Sequence, residues 1–397
     1  MENSLQFRFD NAETGFRVDG GDTTFGSLED AVSWLHDTAV PNPVVAGLIP
    51  YEHGGCSLFG ASKDEIESGP RRAVTSRPPT RFHYDVRFNT VEAERYLTAL
   101  ENALGSLQDP SSELRKVVLS RVERYIFQGD FPVGDCYDFM NTSYPTGNNF
   151  CVRNIQRDGC YHLGSSPELF LSRQGRRIAL HPLAGTLSKD SSRSPEDDRR
   201  RAENLFSAAK FRDEHAYLVD FLREALAGFC ESLVVPPDPE IVSASHVWHL
   251  GTPIEGVLKS PDIGLAKMLD VLHPSPAVCG VPRSAANEFI AEHEGRRGYY
   301  AGLVGWFDDR ANCELYLALR GMEVDLAAGH VDLRAGGGIV EESSIPLEFG
   351  EAGAKMSTMQ KVLGIEAGPA AAAWGSDDSA GTDSRGPVTV GGAGAGR

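Results

Sequence analysis

No apolar run in this chain is long enough to cross a bilayer; the longest are strand-length. Its first residues, Met-Glu-Asn-Ser-Leu-Gln, lack the basic and apolar regions of a secretory leader. Positive charge is scarce: 38 Lys and Arg stand against 56 Asp and Glu, a formal net charge of −18, with no basic stripe to offset it. Such a chain repels phosphate backbones, so nucleic acid is not expected as a partner, and neither is a membrane. Cysteine is sparse as well. The seven (Cys56, Cys136, Cys151, Cys160, Cys230, Cys279, Cys313) are odd in number and scattered, with no C-x-x-C pair. That argues against structural zinc and predicts reduced thiols in a cytoplasmic protein.

What is present is length, glycine and short strands. A chain of 397 residues can bury a large core, as two ordinary domains or one large α/β unit. In residues 1–110, an N-terminal part of the same unit, 44–49 reads as a buried strand, 68–81 as a mobile loop and 90–107 as an amphipathic helix. His53-Gly54-Gly55 reads as a plain turn. Residues 111–366 carry the chemistry. Beyond them, 367–397 is Gly, Ala, Ser and Asp with almost no large apolar side chain, and reads as a disordered tail.

Within 111–366, Lys116-Val117-Val118-Leu119-Ser120-Arg121 alternates so that Lys116, Val118 and Ser120 share a face. Lys116 is either a gatekeeper on an edge strand or a desolvated base. Gly164-Ser165-Ser166-Pro167-Glu168 delivers one carboxylate to the mouth of an apolar strand, as a proton donor or as a cap for local N–H groups. His181 to Thr186 offers a turn with a hydroxyl. Ser194-Pro195-Glu196-Asp197 starts a helix expected to run to about Phe229. On that helix Asp213-Glu214-His215 is either surface or aims Glu214 inward, and His215 is expected at the surface. Residues 314–320 alternate, so that Arg320 is expected to project from the face opposite the core and can grip a carboxylate. Gly336, Gly337 and Gly338 are read as an anion-cradling turn between a strand and a last helix after Pro346. On that helix Glu348, Glu351 and Lys355 share one face.

Taken together, these motifs resemble the chorismate-utilising enzymes: anthranilate synthase large components and aminodeoxychorismate, isochorismate and salicylate synthases. The resemblance covers about 113–364. It rests on Lys-Val-Val-Leu-Ser-Arg at 116–121, Gly-Ser-Ser-Pro-Glu at 164–168, Pro-Leu-Ala-Gly-Thr at 182–186 and Asp-Glu-His at 213–215. Trp-His-Leu at 248–250, His-Pro-Ser-Pro-Ala-Val-Cys-Gly at 273–280 and the 336–355 stretch complete it.

The resemblance implies an α+β fold, two mostly antiparallel sheets packed between outer helices, around a magnesium site. It implies Glu214 and Glu351, with Glu348 nearby, as the Mg²⁺ ligands, and Arg320, Tyr300 and the Gly336–Gly338 backbone as the grip on the enolpyruvyl carboxylate. Gly185, Thr186, His249 and Lys355 would line the ring edge. Lys116 matches the water-activating lysine of isochorismate and salicylate synthases, with Glu168 as the acid. Ala184 stands where common aminodeoxychorismate synthases carry a nucleophilic lysine. The nearest likeness is to isochorismate synthases of siderophore or menaquinone pathways, acting on chorismate as a monomer or weak homo-oligomer without a fused amidotransferase. Three positions depart from the pattern: Cys313-Glu314-Leu315 replaces Gly-Glu-Trp, Gly-Gly-Gly replaces Gly-Ala-Gly, and one residue is missing between Pro346 and Glu348. Asn148 or Asn149 also replaces a tyrosine common in the family.

Overall fold

Strand residues 44–49 are apolar without a break because both of their faces are buried. Val44, Ala46 and Leu48 pack into one cluster while Val45 and Ile49 pack into another, as in a strand enclosed on two sides. The computed structural model describes residues 5–11, 15–19, 23–63, 84–85, 90–190, 192–244 and 247–365. The expected loop at 68–81 and the expected tail lie outside the described residues.

In chain order the first elements are β1 (Leu5–Asp10), β2 (Gly15–Asp19), β3 (Thr24–Phe25), α1 (Leu28–Asp37), β4 (Pro43–Ile49), β5 (Ser57–Ser62), β6 (Tyr84–Asp85) and α2 (Thr90–Gln108). Next come β7 (Lys116–Phe127), α3 (Val133–Ser143), β8 (Asn148–Arg153), β9 (Cys160–Ser166), β10 (Leu169–Gln174), β11 (Arg177–Leu180) and β12 (Leu183–Ser188). They are followed by α4 (Pro195–Leu205), α5 (Ala209–Ala227), β13 (Cys230–Val234), β14 (Glu240–Ser243), β15 (Val247–Gly251), β16 (Ile254–Leu258) and α6 (Leu265–Leu272). Last are β17 (Gly280–Val281), α7 (Arg283–His293), β18 (Leu303–Asp308), β19 (Cys313–Leu317), β20 (Gly321–Asp325), β21 (His330–Ile339) and α8 (Ile345–Val362).

The strands form two nine-stranded sheets and one of three. The first runs β17-β7-β21-β20-β9-β8-β1-β2, with β6 also on β7; the second runs β13-β16-β11-β10-β19-β18-β4-β5-β3; the small one is β12-β15-β14. Neighbouring strands pair antiparallel in all three. Strands of the first hundred residues complete both large sheets, β1 on β8 and β4 on β18. Between the sheets Phe7, Phe9, Phe150, Val304 and Tyr316 interdigitate. Each such ring contributes roughly 1.5–3 kcal/mol by leaving water. On the outer face of the first sheet, α3 and α8 bury Tyr137, Met140, Met356 and Met359 against Leu163 and Leu333. The larger cluster under α2, α5, α6 and α7 seals the other side.

Several expectations are corrected. The helix starting at Ser194 is capped as expected, with the Ser194 hydroxyl accepting from the Asp197 N–H, but it stops at Leu205 and resumes at Ala209. Phe206 and Phe211 then pack edge to face across the break. Residues 183–188 form a strand rather than a turn, bulged at Gly185 with φ +70. The three glycines are not a turn either. They lie inside β21, paired with Ser120, Leu119 and Val118 of β7, so their N–H groups belong to a strand ladder.

Candidate active site

Where the two sheets and the small sheet meet, a cleft holds about 680 Å³ of non-protein space, counting the part open to solvent. The cleft is lined by Glu168, Gly185, Thr186, Glu214, His249, Tyr300, Arg320, Gly336, Gly337, Gly338 and Lys355. Eleven expected site residues, from six strands and loops and two helices, are thus brought to one place.

Lys116 opens β7 and is buried, with its amine 3.3 Å from Glu214 on α5. It is not on an edge strand, since β7 runs between β17 and β21 in the first sheet. The glycines explain how two charged chains reach this depth. A Cβ on Gly338 would lie 2.3 Å from Glu214 Oε1 and 2.8 Å from Lys116 Cε. On Gly337 it would lie 3.0 Å from Glu351 Oε1 and 3.3 Å from Glu348 Oε2. At Gly336 it would collide with the Leu119 carbonyl, so glycine there serves the close approach of β7. Lys355 Nζ donates to Glu351 at 2.6 Å and to the Gly336 carbonyl at 2.8 Å.

Glu168 follows β9 and is buried with one donor, the Leu183 N–H at 3.2 Å. Burial raises its carboxyl to about 8, against the opposing pull of that N–H and of Lys116 and Arg320. Across the cleft Arg320 Nη2 donates to His249 Nε2 at 2.9 Å, which leaves the proton on His249 Nδ1, within reach of the Gly185 carbonyl at 3.1 Å and Thr186 Oγ1 at 3.2 Å. Burial, then Arg320, hold that imidazole well below its usual range, in the neutral form. Arg320 does not project from a face opposite the core. Strand β19 ends at Leu317, both its faces are buried, and the chain turns through φ +50 at Arg320 to bring the guanidinium inward.

His215 is corrected too. It is buried, bonded through Nε2 to Thr252 Oγ1 at 2.7 Å, and lowered to about 4 by burial and then Lys116. Arg334 also lines the cleft, and sequence reasoning passed over it. Its position two residues before Gly336, on the same strand parity, is the signal that could have found it. It is held by Ser120 Oγ and Glu294, and Glu294 also takes Arg297 and the Ser120 backbone N–H.

Among the described residues, no three His, Cys, Asp or Glu side chains are gathered closely enough to hold a metal. Glu214 and Glu351 each face a lysine instead. All seven cysteines are free and buried, and no described helix is long and apolar enough to cross a membrane.

The family described as chorismate binding enzyme matches residues 61–364. The chain belongs to that family. Isochorismate synthase DhbC of Bacillus subtilis is 30% identical over 351 residues, covering 87% of each chain. Isochorismate synthase EntC of Escherichia coli K12 is 33% identical, covering 82% of each. Among solved structures, a Bacillus anthracis protein named as a 2,3-dihydroxybenzoate-specific isochorismate synthase superposes with a TM-score of 0.80 at 28% identity, over 92% of this chain and 98% of that one. Anthranilate synthase component I of Streptococcus pneumoniae, at 18% identity and a TM-score of 0.66 over 90% of this chain and 92% of that one, shares the fold. The α+β architecture of antiparallel sheets between helices is therefore that of the chorismate-binding enzymes, with a small third sheet carrying Thr186 and His249 into the cleft.

Proposed function

We propose that this chorismate-binding enzyme is an isochorismate synthase. The observation that carries the reading is a buried carboxyl, Glu168, kept neutral near pH 7 in the cleft, with the buried Lys116 paired to Glu214 on the cleft wall. Lys116 takes a proton from water as the water oxygen bonds to ring carbon C2 of chorismate. The ring double bonds shift, and the C4 hydroxyl leaves as water with the proton of Glu168. One water enters and one departs, so atoms and charge balance. Arg320, fixed by His249, binds a substrate carboxylate with its planar fork. Ala184 lines the cleft where a lysine would be needed for a covalent adduct, and methyl cannot form one.

A Mg²⁺ ion fits the donor chemistry, because Glu214, Glu348 and Glu351 offer only oxygen and project over glycines that leave room for them. One or two of those side chains, completed by water and the substrate, would hold it, and once bound it would offset charge on the ring carboxylate.

The test is to incubate the purified chain with chorismate and Mg²⁺ in excess ammonium and to identify the product by chromatography and NMR. Isochorismate is expected, and Lys116→Gln should abolish it, since an amide cannot accept the proton. Salicylate and pyruvate in equal amounts, or an amino-substituted ring, would overturn the reading.

A further inference from the structure

The loop between β4 and β5, whose His53-Gly54-Gly55 reads from sequence as a plain turn, grips the segment that carries Tyr300 into the cleft. Glu52 turns its whole carboxylate to that segment: Oε1 accepts from the Arg297 N–H at 2.6 Å and Oε2 from the Gly298 N–H at 3.2 Å. The Tyr51 N–H donates to the Gly298 carbonyl at 2.8 Å, and the Tyr299 hydroxyl donates to the Gly55 carbonyl at 2.9 Å. Gly302 lets the two backbones close up, since a Cβ there would lie 2.2 Å from the Ile49 carbonyl oxygen.

A second hold runs through two imidazoles. His273 is buried and neutral, and its Nε2 donates to the Ala301 carbonyl at 2.9 Å. Its Nδ1 is then an acceptor, which fixes His53 as the donor through Nε2 at 2.7 Å. The carbonyl so held belongs to a residue at φ +60, a conformation that a non-glycine keeps only where its surroundings enforce it. Tyr300 is the residue before it, its ring 5.4 Å from the Arg334 guanidinium and 5.9 Å from that of Arg297. Glu52 is exposed and His53 partly so, so core packing accounts for neither side chain.

We infer that Glu52 and His53 are positioning residues, which fix the 297–301 segment so that the Tyr300 hydroxyl meets a substrate carboxylate in the cleft. The inference rests on the isochorismate synthase reading given above, and it gives the N-terminal part of the chain a task in the reaction. A shift of about 1 Å in a group that positions substrate can cost about 10²-fold, even when the altered residue is remote from the chemistry. Because Tyr300 would hold the carboxylate equally before and during the reaction, the loss should fall on KM rather than on kcat.

The experiment measures kcat and KM for chorismate, and chorismate binding by calorimetry, in variants of the full chain with Mg²⁺ present. Glu52→Ala should raise KM about tenfold or more, keep kcat within about threefold and leave the melting temperature nearly unchanged. In a Tyr300→Phe background the same substitution should raise KM no further, because the group it positions is already gone. His53→Phe keeps a ring to stack on His273 but loses the donor, and should raise KM likewise; His53→Gln keeps an N–H and should stay close to wild type. Three results would each overturn the assignment: an unchanged KM in Glu52→Ala, an equal rise with and without the Tyr300 hydroxyl, or equal losses in His53→Phe and His53→Gln. Product identity is read separately. A chain that loses chorismate affinity in the expected pattern but makes no isochorismate would sink the reaction and leave the positioning role standing; isochorismate formed with KM and affinity indifferent to Glu52 and His53 would do the reverse.

Discussion

Glu168 and Glu323 belong to opposite parts of the β9–β20 ribbon, and their surroundings differ. Glu168 lies just past the cleft end, buried, with a single backbone N–H for company, and burial raises it to about 8. Glu323 pairs across the ribbon with His162, and burial there is outweighed by the His162 hydrogen bond and charge and by Arg157, so it falls to about 2. The same side chain is thus a proton donor in one place and a fixed anion in the other. The lesson is that donors, rather than depth alone, decide whether a buried carboxyl ionises. The far end reads as a strut between strands, the cleft end as chemistry.

The sharpest way to break this contrast is to neutralise each carboxyl in turn. Glu168→Gln should lower kcat for isochorismate formation by about 10²–10⁴, the usual worth of a general acid, while Glu323→Gln should leave kcat within about threefold. Steady-state assays at saturating chorismate decide it, and equal losses would erase the distinction.

A second measurement sharpens the contrast through pH. Between the ordinary carboxylate value and about 8, folded Glu168 keeps a proton that the unfolded chain has released, so this group's stability contribution is lost as pH rises through that window. Glu323 works the other way: its contribution is present above the ordinary value and is lost as pH falls toward about 2. Urea denaturation against pH should show that Glu168→Gln flattens the slope on the neutral side, by at most about 1.4 kcal/mol per pH unit, while Glu323→Gln flattens the acid side. Activity should likewise fall as pH rises past about 8, where the acid loses its proton.

The smallest effect belongs to Arg157, which is half exposed and pairs with Glu323 and Asp325. Arg157→Ala should cost under about 1 kcal/mol in urea denaturation and leave kcat unchanged, because water screens such pairs. A larger loss would mean that the strut carries more of the fold than its exposure suggests.

Much of the cleft was legible because local patterns encode it. The alternation through Lys116, the Pro-Glu delivery of Glu168 and the spacing of Glu348, Glu351 and Lys355 along α8 are one-dimensional facts, and the motifs that carry them stand in family order. The misreadings share one cause. Three glycines in a row suggest a turn, yet they continue a strand because β7 supplies the ladder and carboxylates from α5 and α8 fill the space that side chains would take. His215 looked like a surface residue until Thr252, far along the chain, proved to be its partner. Arg320 was placed by alternation, but the alternation ends three residues earlier at Leu317.

By itself the sequence determined which residues carry charge, where strands and helices start, and which family the chain belongs to, since composition, caps and periodicity act over a few residues. Only the tertiary structure decided which charges are buried beside one another. That Glu168 retains its proton and that Lys116 faces Glu214 depend on desolvation and on contacts between residues far apart in the chain.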